Sequence, residues 1–327
     1  MKKIINEPGK IVEEMLQGIV KSYGNLVHQV EDSRVIARND SNKQVGLVSG
    51  GGSGHEPAHA GFVGDGMLNA AVLGDVFTSP TPDQILTGIQ AADQGAGVLL
   101  IVKNYTGDIL NFEMAKDMAD MEDIHVEMVV VDDDIDLEDS TYTAGKRGVA
   151  GTVLVHKILG HHARQGASLE ELVSLGEKIV AATKTIGVAL KAATVPEVGK
   201  PGFTLPEDEI EFGLGINGEP GYRREKIQPS KELAKELVEK TLSSYEQQPQ
   251  TVGVLVNGMG GTPLMEQFVF MNDVLTLLED KGVQVTFHKV GNYMTSIDMQ
   301  GLSLTMIDLA TKDWQTALER NVTTISW

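Results

Sequence analysis

The densest chemistry in the chain lies in Gly50-Gly51-Gly52-Ser53-Gly54-His55-Glu56-Pro57. Glycine lets a backbone approach a ligand closely and reach positive φ. Bare N–H groups beside a helix start suit oxygen-rich or anionic ligands. The loop fits neither G-x-x-x-x-G-K-[ST] nor G-x-G-x-x-G, because His55 stands where the last glycine would be. It reads as a site for a small polar ligand, with a plain strand-to-helix turn as the alternative. His55 to His59 also spells H-E-x-x-H, the zinc protease pattern. That pattern needs the middle of a helix, so that both imidazoles share a face, and Pro57 breaks an established helix. The expectation is Pro57 in a helix's first turn, His55 in the loop aimed at the ligand, and His59 packed or at the surface.

Lys103-Asn104-Tyr105-Thr106-Gly107-Asp108 follows a strongly apolar strand. Polar residues at the end of a buried strand are where α/β folds keep ligands. Lys103 can hold a hydroxyl or carbonyl oxygen, and Asp108 can take an alcohol's proton; a salt-bridged loop is the alternative. Asp132, Asp133, Asp134 and Asp136 invite a metal reading, but a calcium loop's glycine and distal glutamate are missing. A solvated acidic strand end is expected. His156, His161 and His162 read as surface or cap groups on one helix. A second glycine-rich strand end, 212–221, either borders the same ligand or simply turns.

The elements that must position these residues alternate. Apolar runs at 45–49, 69–73, 97–102, 126–131, 188–192, 209–214, 251–256 and 283–287 predict strands covered on both faces. Helix signals lie between them. Thr81, Pro82 and Gln84 suggest a capping box before a helix stopped by Gly95, Ser168 and Glu171 suggest another, and Thr262-Pro263 a third start. The fold class is therefore α/β, two α/β domains with mixed or mostly parallel sheets. The expected division is 1–186, carrying the glycine loop, and 187–327, completing the site. The stretch 196–208 reads as a surface excursion.

The chain has 327 residues, a formal charge of −19 and no cysteine. That excludes disulfides, thiolate zinc sites and cysteine nucleophiles, and fits a reducing cytoplasm. The acidic balance argues against nucleic acid and anionic membranes as partners. No apolar run approaches the ~20 residues of a membrane span, and the first residues have no apolar core of a secretory signal.

Seven collinear blocks, 50–59 (GGGSGHEPAH), 74–80 (GDVFTSP), 103–112 (KNYTGDILNF), 147–153 (RGVAGTV), 215–221 (GINGEPG), 256–264 (VNGMGGTPL) and 291–299 (GNYMTSIDM), resemble the DhaK family, the substrate-binding subunits of dihydroxyacetone kinases. The resemblance implies a DhaK-like pair of α/β domains and a homodimer. It implies that Gly52, Ser53, Gly54 and His55 line the dihydroxyacetone site, that Lys103 and Asp108 bind its oxygens, and that His55 and Asp108 form the acid/base pair. It also implies a separate DhaL-type subunit holding ADP or ATP with magnesium, recharged by a phosphotransferase component from phosphoenolpyruvate. No cofactor is expected in this chain. One position departs from the pattern. The family's GIHGEPG histidine, which forms a covalent hemiaminal with the ketone, is Asn217 here. An amide nitrogen is a poor nucleophile but still a hydrogen-bonding group. Three origins fit: an engineered replacement, a kinase subunit that holds substrate without the bond, or a ketone-sensing paralogue like the coactivator DhaQ.

Overall fold

The computed structural model describes residues 2–40, 43–136, 145–213, 215–219 and 221–327. Its strands are β1 (Val27–Gln29), β2 (Val35–Arg38), β3 (Gly46–Ser53), β4 (Ala70–Val76), β5 (Val98–Lys103), β6 (Val126–Val131), β7 (Thr183–Lys191), β8 (Glu209–Phe212), β9 (Arg223–Lys226), β10 (Thr251–Gly258), β11 (Gln284–Gly291) and β12 (Gln300–Asp308). The helices are α1 (Ile11–Tyr23), α2 (Pro82–Ala92), α3 (Thr106–Asp120), α4 (Thr152–Arg164), α5 (Leu169–Ala182), α6 (Ser230–Ser243), α7 (Leu264–Asp280) and α8 (Lys312–Glu319).

Two six-stranded sheets result, in the orders β1-β2-β4-β3-β5-β6 and β11-β10-β12-β7-β8-β9. In the first, β4, β3, β5 and β6 run parallel, and β1 and β2 are antiparallel. In the second, only β10 and β11 are parallel; the other pairings are antiparallel. The sheets are thus mixed, and only the first is mostly parallel. The central antiparallel β12 lies outside the predicted strands. Its Ser303 and Thr305 interrupt an apolar run, yet both are buried and bonded, to Asn257 and Thr185.

The first sheet is covered on both faces, as continuous apolar strands require. Ile85, Ile89, Phe112 and Ala115 of α2 and α3 pack on Val48, Val72, Val98 and Leu100. Leu16 of α1, Val153 and Leu154 of α4 and Leu172 and Ile179 of α5 cover Leu47, Leu99 and Ile101. Leu237 and Val238 of α6 and Phe270 and Val274 of α7 cover one face of the second sheet. On its other face, Phe287, Ile307 and Leu309 join the first unit's core.

The Ser168–Glu171 capping box forms, a device worth about 1 kcal/mol. The other two helix starts differ. Gln84 accepts from the Arg34 amide instead of closing a box, and α2 stops at Ala92. Thr262 exchanges hydrogen bonds with the Gly301 backbone, leaving Pro263 as the cap of α7. Helix α5 ends at Ala182 and β7 begins at Thr183, so residue 186 falls inside a strand. The late segment then returns to the loop before β4, where Thr323 bonds Asp65 and Ser326 bonds Gly61, while Trp327 stacks on Phe287 of β11. The excursion at 196–208 is irregular, as expected. The predicted strand at 209–214 ends at Phe212; Leu214 lies outside the described residues.

The acidic strand end is not solvated as a whole. Asp133 is buried and accepts from the Val149 and Gly151 amides and the Thr185 hydroxyl. Asp134 is buried against Arg147. These carboxylates staple the segment after β6 to the start of α4 and to the second sheet.

Candidate functional site

Strand β3 pairs with β4 on one side and β5 on the other, so the chain reverses its winding between β3 and β5. Crevices of this kind, at the carboxyl ends of parallel strands, are where open α/β sheets bind ligands. Here β3 runs out into the glycine loop and β5 ends at Lys103. Beside them lies a cavity of about 390 Å³, lined by Gly52, His55, Phe77, Ser79, Lys103, Tyr105, Thr106, Gly107, Asp108, Asn217 and Glu219.

Lys103 is buried, and its Nζ donates to the Gly50 carbonyl (3.1 Å), to His59 Nε2 (3.2 Å) and to Asp108 Oδ2 (3.5 Å). Asp108 sits in the first turn of α3, where the helix dipole favours a carboxylate. Gly51 makes this arrangement possible. Its φ is +146°, and a Cβ there would stand 2.4 Å from Lys103 Nζ.

His55 is buried between the two units. Its Nδ1 lies 2.8 Å from the Thr295 carbonyl, and its Nε2 lies 3.0 Å from Asn217 Oδ1. Its ring stacks on Phe77 at 5.3 Å. Burial, and then the Lys103 charge, hold its pKa down to about 4, so the ring is neutral at pH 7. A carbonyl accepts only, so the single ring proton belongs on Nδ1 and Nε2 is bare. The Asn217 amide is oriented by Glu219, whose carboxylate accepts from Asn217 N (3.0 Å) and Nδ2 (3.3 Å). That turns Asn217 Oδ1 toward His55 Nε2. Two acceptors therefore face each other, and the proton they lack is one a ligand hydroxyl can supply.

The cavity brings His55, Lys103, Asp108, Asn217 and Gly52 together, whereas Ser53 and Gly54 do not line it. Ser53 Oγ donates to the Gly74 carbonyl, and the Gly54 amide donates to the Glu56 carboxylate. The H-E-x-x-H segment forms a turn leading into a 3-10 turn at Ala60–Phe62, so Pro57 starts no α-helix. His55 and His59 enter different networks. His59 is packed, and its Nδ1 lies 2.9 Å from His156 Nε2 and 3.3 Å from Ser49 Oγ. His156 and His161 are buried, not surface groups as expected; His162 is partly exposed. Sequence reading missed Glu219, Thr295 and Phe77. The GEP of 215–221 was visible, but the placement of Thr295 and Phe77 is tertiary.

A Dak1 domain model matches residues 17–326. The chain belongs to the Dak1 family. This Dak1 domain is 65% identical, over the full length of both chains, to the "PTS-dependent dihydroxyacetone kinase 1, dihydroxyacetone-binding subunit DhaK" of Listeria innocua. It is 42% identical, over 99% of its own length and all of the other chain, to the "DhaKLM operon coactivator DhaQ" of Lactococcus lactis. It also superposes on the solved dihydroxyacetone kinase of C. freundii at a TM-score of 0.89 and 36% identity, covering 100% of this Dak1 domain and 60% of that chain. Among its described residues, no helix is long and apolar enough to cross a membrane.

Proposed function

We propose that this chain is the dihydroxyacetone-binding subunit of a dihydroxyacetone kinase, and that it presents the ketone's terminal hydroxyl to a phosphoryl donor on a DhaL-type subunit. One observation carries the reading: a bare imidazole nitrogen, a buried ammonium and a helix-start carboxylate meet in one cavity at the β3–β5 crevice. The relatives named as dihydroxyacetone-binding subunits support it. In this mechanism the Lys103 N–H that faces Asp108 at 3.5 Å turns to a ligand oxygen. Asp108 or His55 Nε2 receives the hydroxyl proton as that oxygen bonds phosphorus, and the bond from phosphorus to the donor's leaving oxygen breaks. Positioning and charge placement supply most of the acceleration in phosphoryl transfer, so Asn217 need only hold the ligand by hydrogen bonds. The nucleotide and its magnesium belong to the partner. The active unit is a homodimer of this chain in the cytoplasm.

The likeness to DhaQ favours a second reading, a ketone sensor that transfers no phosphate. One assay separates them. The chain is mixed with a DhaL-type subunit, its phosphotransferase component and dihydroxyacetone. Phosphorylated product is expected. Intact ketone binding without product would replace the kinase reading by the sensor.

A further inference from the structure

Lys103 donates from all three ammonium protons, and each acceptor is accounted for: the Gly50 carbonyl, Asp108 and His59 Nε2. A protonated amine accepts nothing, so His59 Nε2 must be bare and its one proton must sit on Nδ1. That proton points at His156 Nε2, with Ser49 Oγ alongside. The Ser49 hydroxyl donates to the Ile101 carbonyl, so its oxygen is free to accept. His156 Nε2 is then bare as well, and its proton occupies Nδ1, which is buried with no partner among the described residues. Every proton in the line is fixed by the one before it.

We propose that His59, held as its Nδ1–H tautomer by the Lys103 ammonium on one side and by His156 Nε2 as acceptor on the other, is a positioning residue for Lys103: its bare Nε2 accepts the ammonium's third hydrogen bond and seats Nζ in the cavity wall, beside Asp108. Nothing in this touches the ligand; His59 acts through Lys103. Without that acceptor a buried N–H of a charged group is orphaned, and Nζ swings away to seek another partner. His156 backs the arrangement from α4, behind the sheet. Lys103's part in turnover rests on the proposed function, whereas the tautomers do not.

Two measurements test it. Imidazole ¹⁵N–¹H correlation spectra of the ligand-free protein at pH 7, assigned with His59→Gln and His156→Gln, should show bare Nε2 and protonated Nδ1 on both rings. A protonated Nε2 on His59 overturns the proposal. In the reconstituted kinase assay, His59→Leu should lower kcat/KM on the order of 10- to 100-fold, the worth of one hydrogen bond to a charged group. His59→Gln, whose Oε1 accepts while its amide donates to His156, should stay within roughly 3-fold of wild type. Equal loss in both variants, or unchanged kcat/KM in both with only the melting temperature moved, marks His59 as structural filling and overturns the proposal. Wild-type protein that yields no phosphorylated product defeats the proposed function, and the spectra still decide the tautomers.

Discussion

His55 gives its Nδ1 proton to the Thr295 carbonyl across 2.8 Å, although 240 positions separate the two residues. The bond ties the glycine loop of the first unit to the loop after β11 in the second. It also decides which imidazole nitrogen faces the cavity. The Ile297 amide donates to the Gly54 carbonyl at 2.7 Å, and the Thr295 hydroxyl donates to the Glu56 carbonyl at 2.8 Å. The His55 ring is thereby oriented by the contact between the glycine loop and the loop after β11.

Asp108→Asn keeps the shape of the α3 start but removes its proton acceptor. Dihydroxyacetone binding by calorimetry should survive, while kcat in the reconstituted assay should fall by about 10²- to 10⁴-fold, the range for a general base. Unchanged turnover would remove Asp108 from the mechanism.

Gly51→Ala sets a methyl on a backbone at φ +146°, in the space of the Lys103 ammonium. Displacing that group by about 1 Å should cost kcat/KM on the order of 100-fold. Circular dichroism should show the fold retained. Wild-type kinetics in this variant would mean that the exact seat of Lys103 is immaterial.

Asn217 supports no covalent bond, so the affinity for dihydroxyacetone should be no tighter than micromolar, about −8 kcal/mol. Mass spectrometry of the wild-type protein with the ketone should show no adduct. Asn217→His should create one, because residue 217 already reaches within 3.0 Å of His55 at the cavity wall. Nanomolar binding by the wild type, or no adduct on the histidine variant, would refute this account of the position.

Acid should destabilise the fold through His156. Burial, and then the Lys103 charge, push its pKa down to about 3, against about 6.5 in an unfolded chain. Between those values the unfolded state binds a proton that the folded state refuses. Its contribution is therefore fully present above about pH 6.5 and declines as pH falls toward 3. Asp133, raised by burial to about 6, titrates in the opposite sense, so the test is a difference. Melting temperatures of His156→Leu should fall less between pH 7 and pH 4 than those of the wild type. Parallel curves would count against the assignment.

Much of this is legible in the residues themselves. Continuous apolar runs marked β3, β5, β6 and β10, and a glycine loop beside a lysine strand end marked the cavity. What escaped was decided by distant partners. His156 reads as polar on a helix, and only the packing of α4 behind the first sheet buries it against His59. The family resemblance makes Ser53 a ligand contact, but β4 supplies the Gly74 carbonyl to accept from its hydroxyl. Asp133 reads as solvated, but the amides of Val149 and Gly151 and the Thr185 hydroxyl surround it. Side-chain type and spacing indicate what a residue can bond. They do not indicate which strand or helix arrives to bond it.

The return of residues 323–327 across the first unit carries a consequence for biosynthesis. Ser326 braces Gly61, just beyond the turn that holds His59, and nearly the whole chain is translated between them. A nascent copy halted before Thr323 would display the glycine loop, the lysine and the carboxylate without this buttress. The turn that carries His59 therefore reaches its final packing only after residues 62–325 have been made, so its assembly is post-translational and not completed as its own strand emerges.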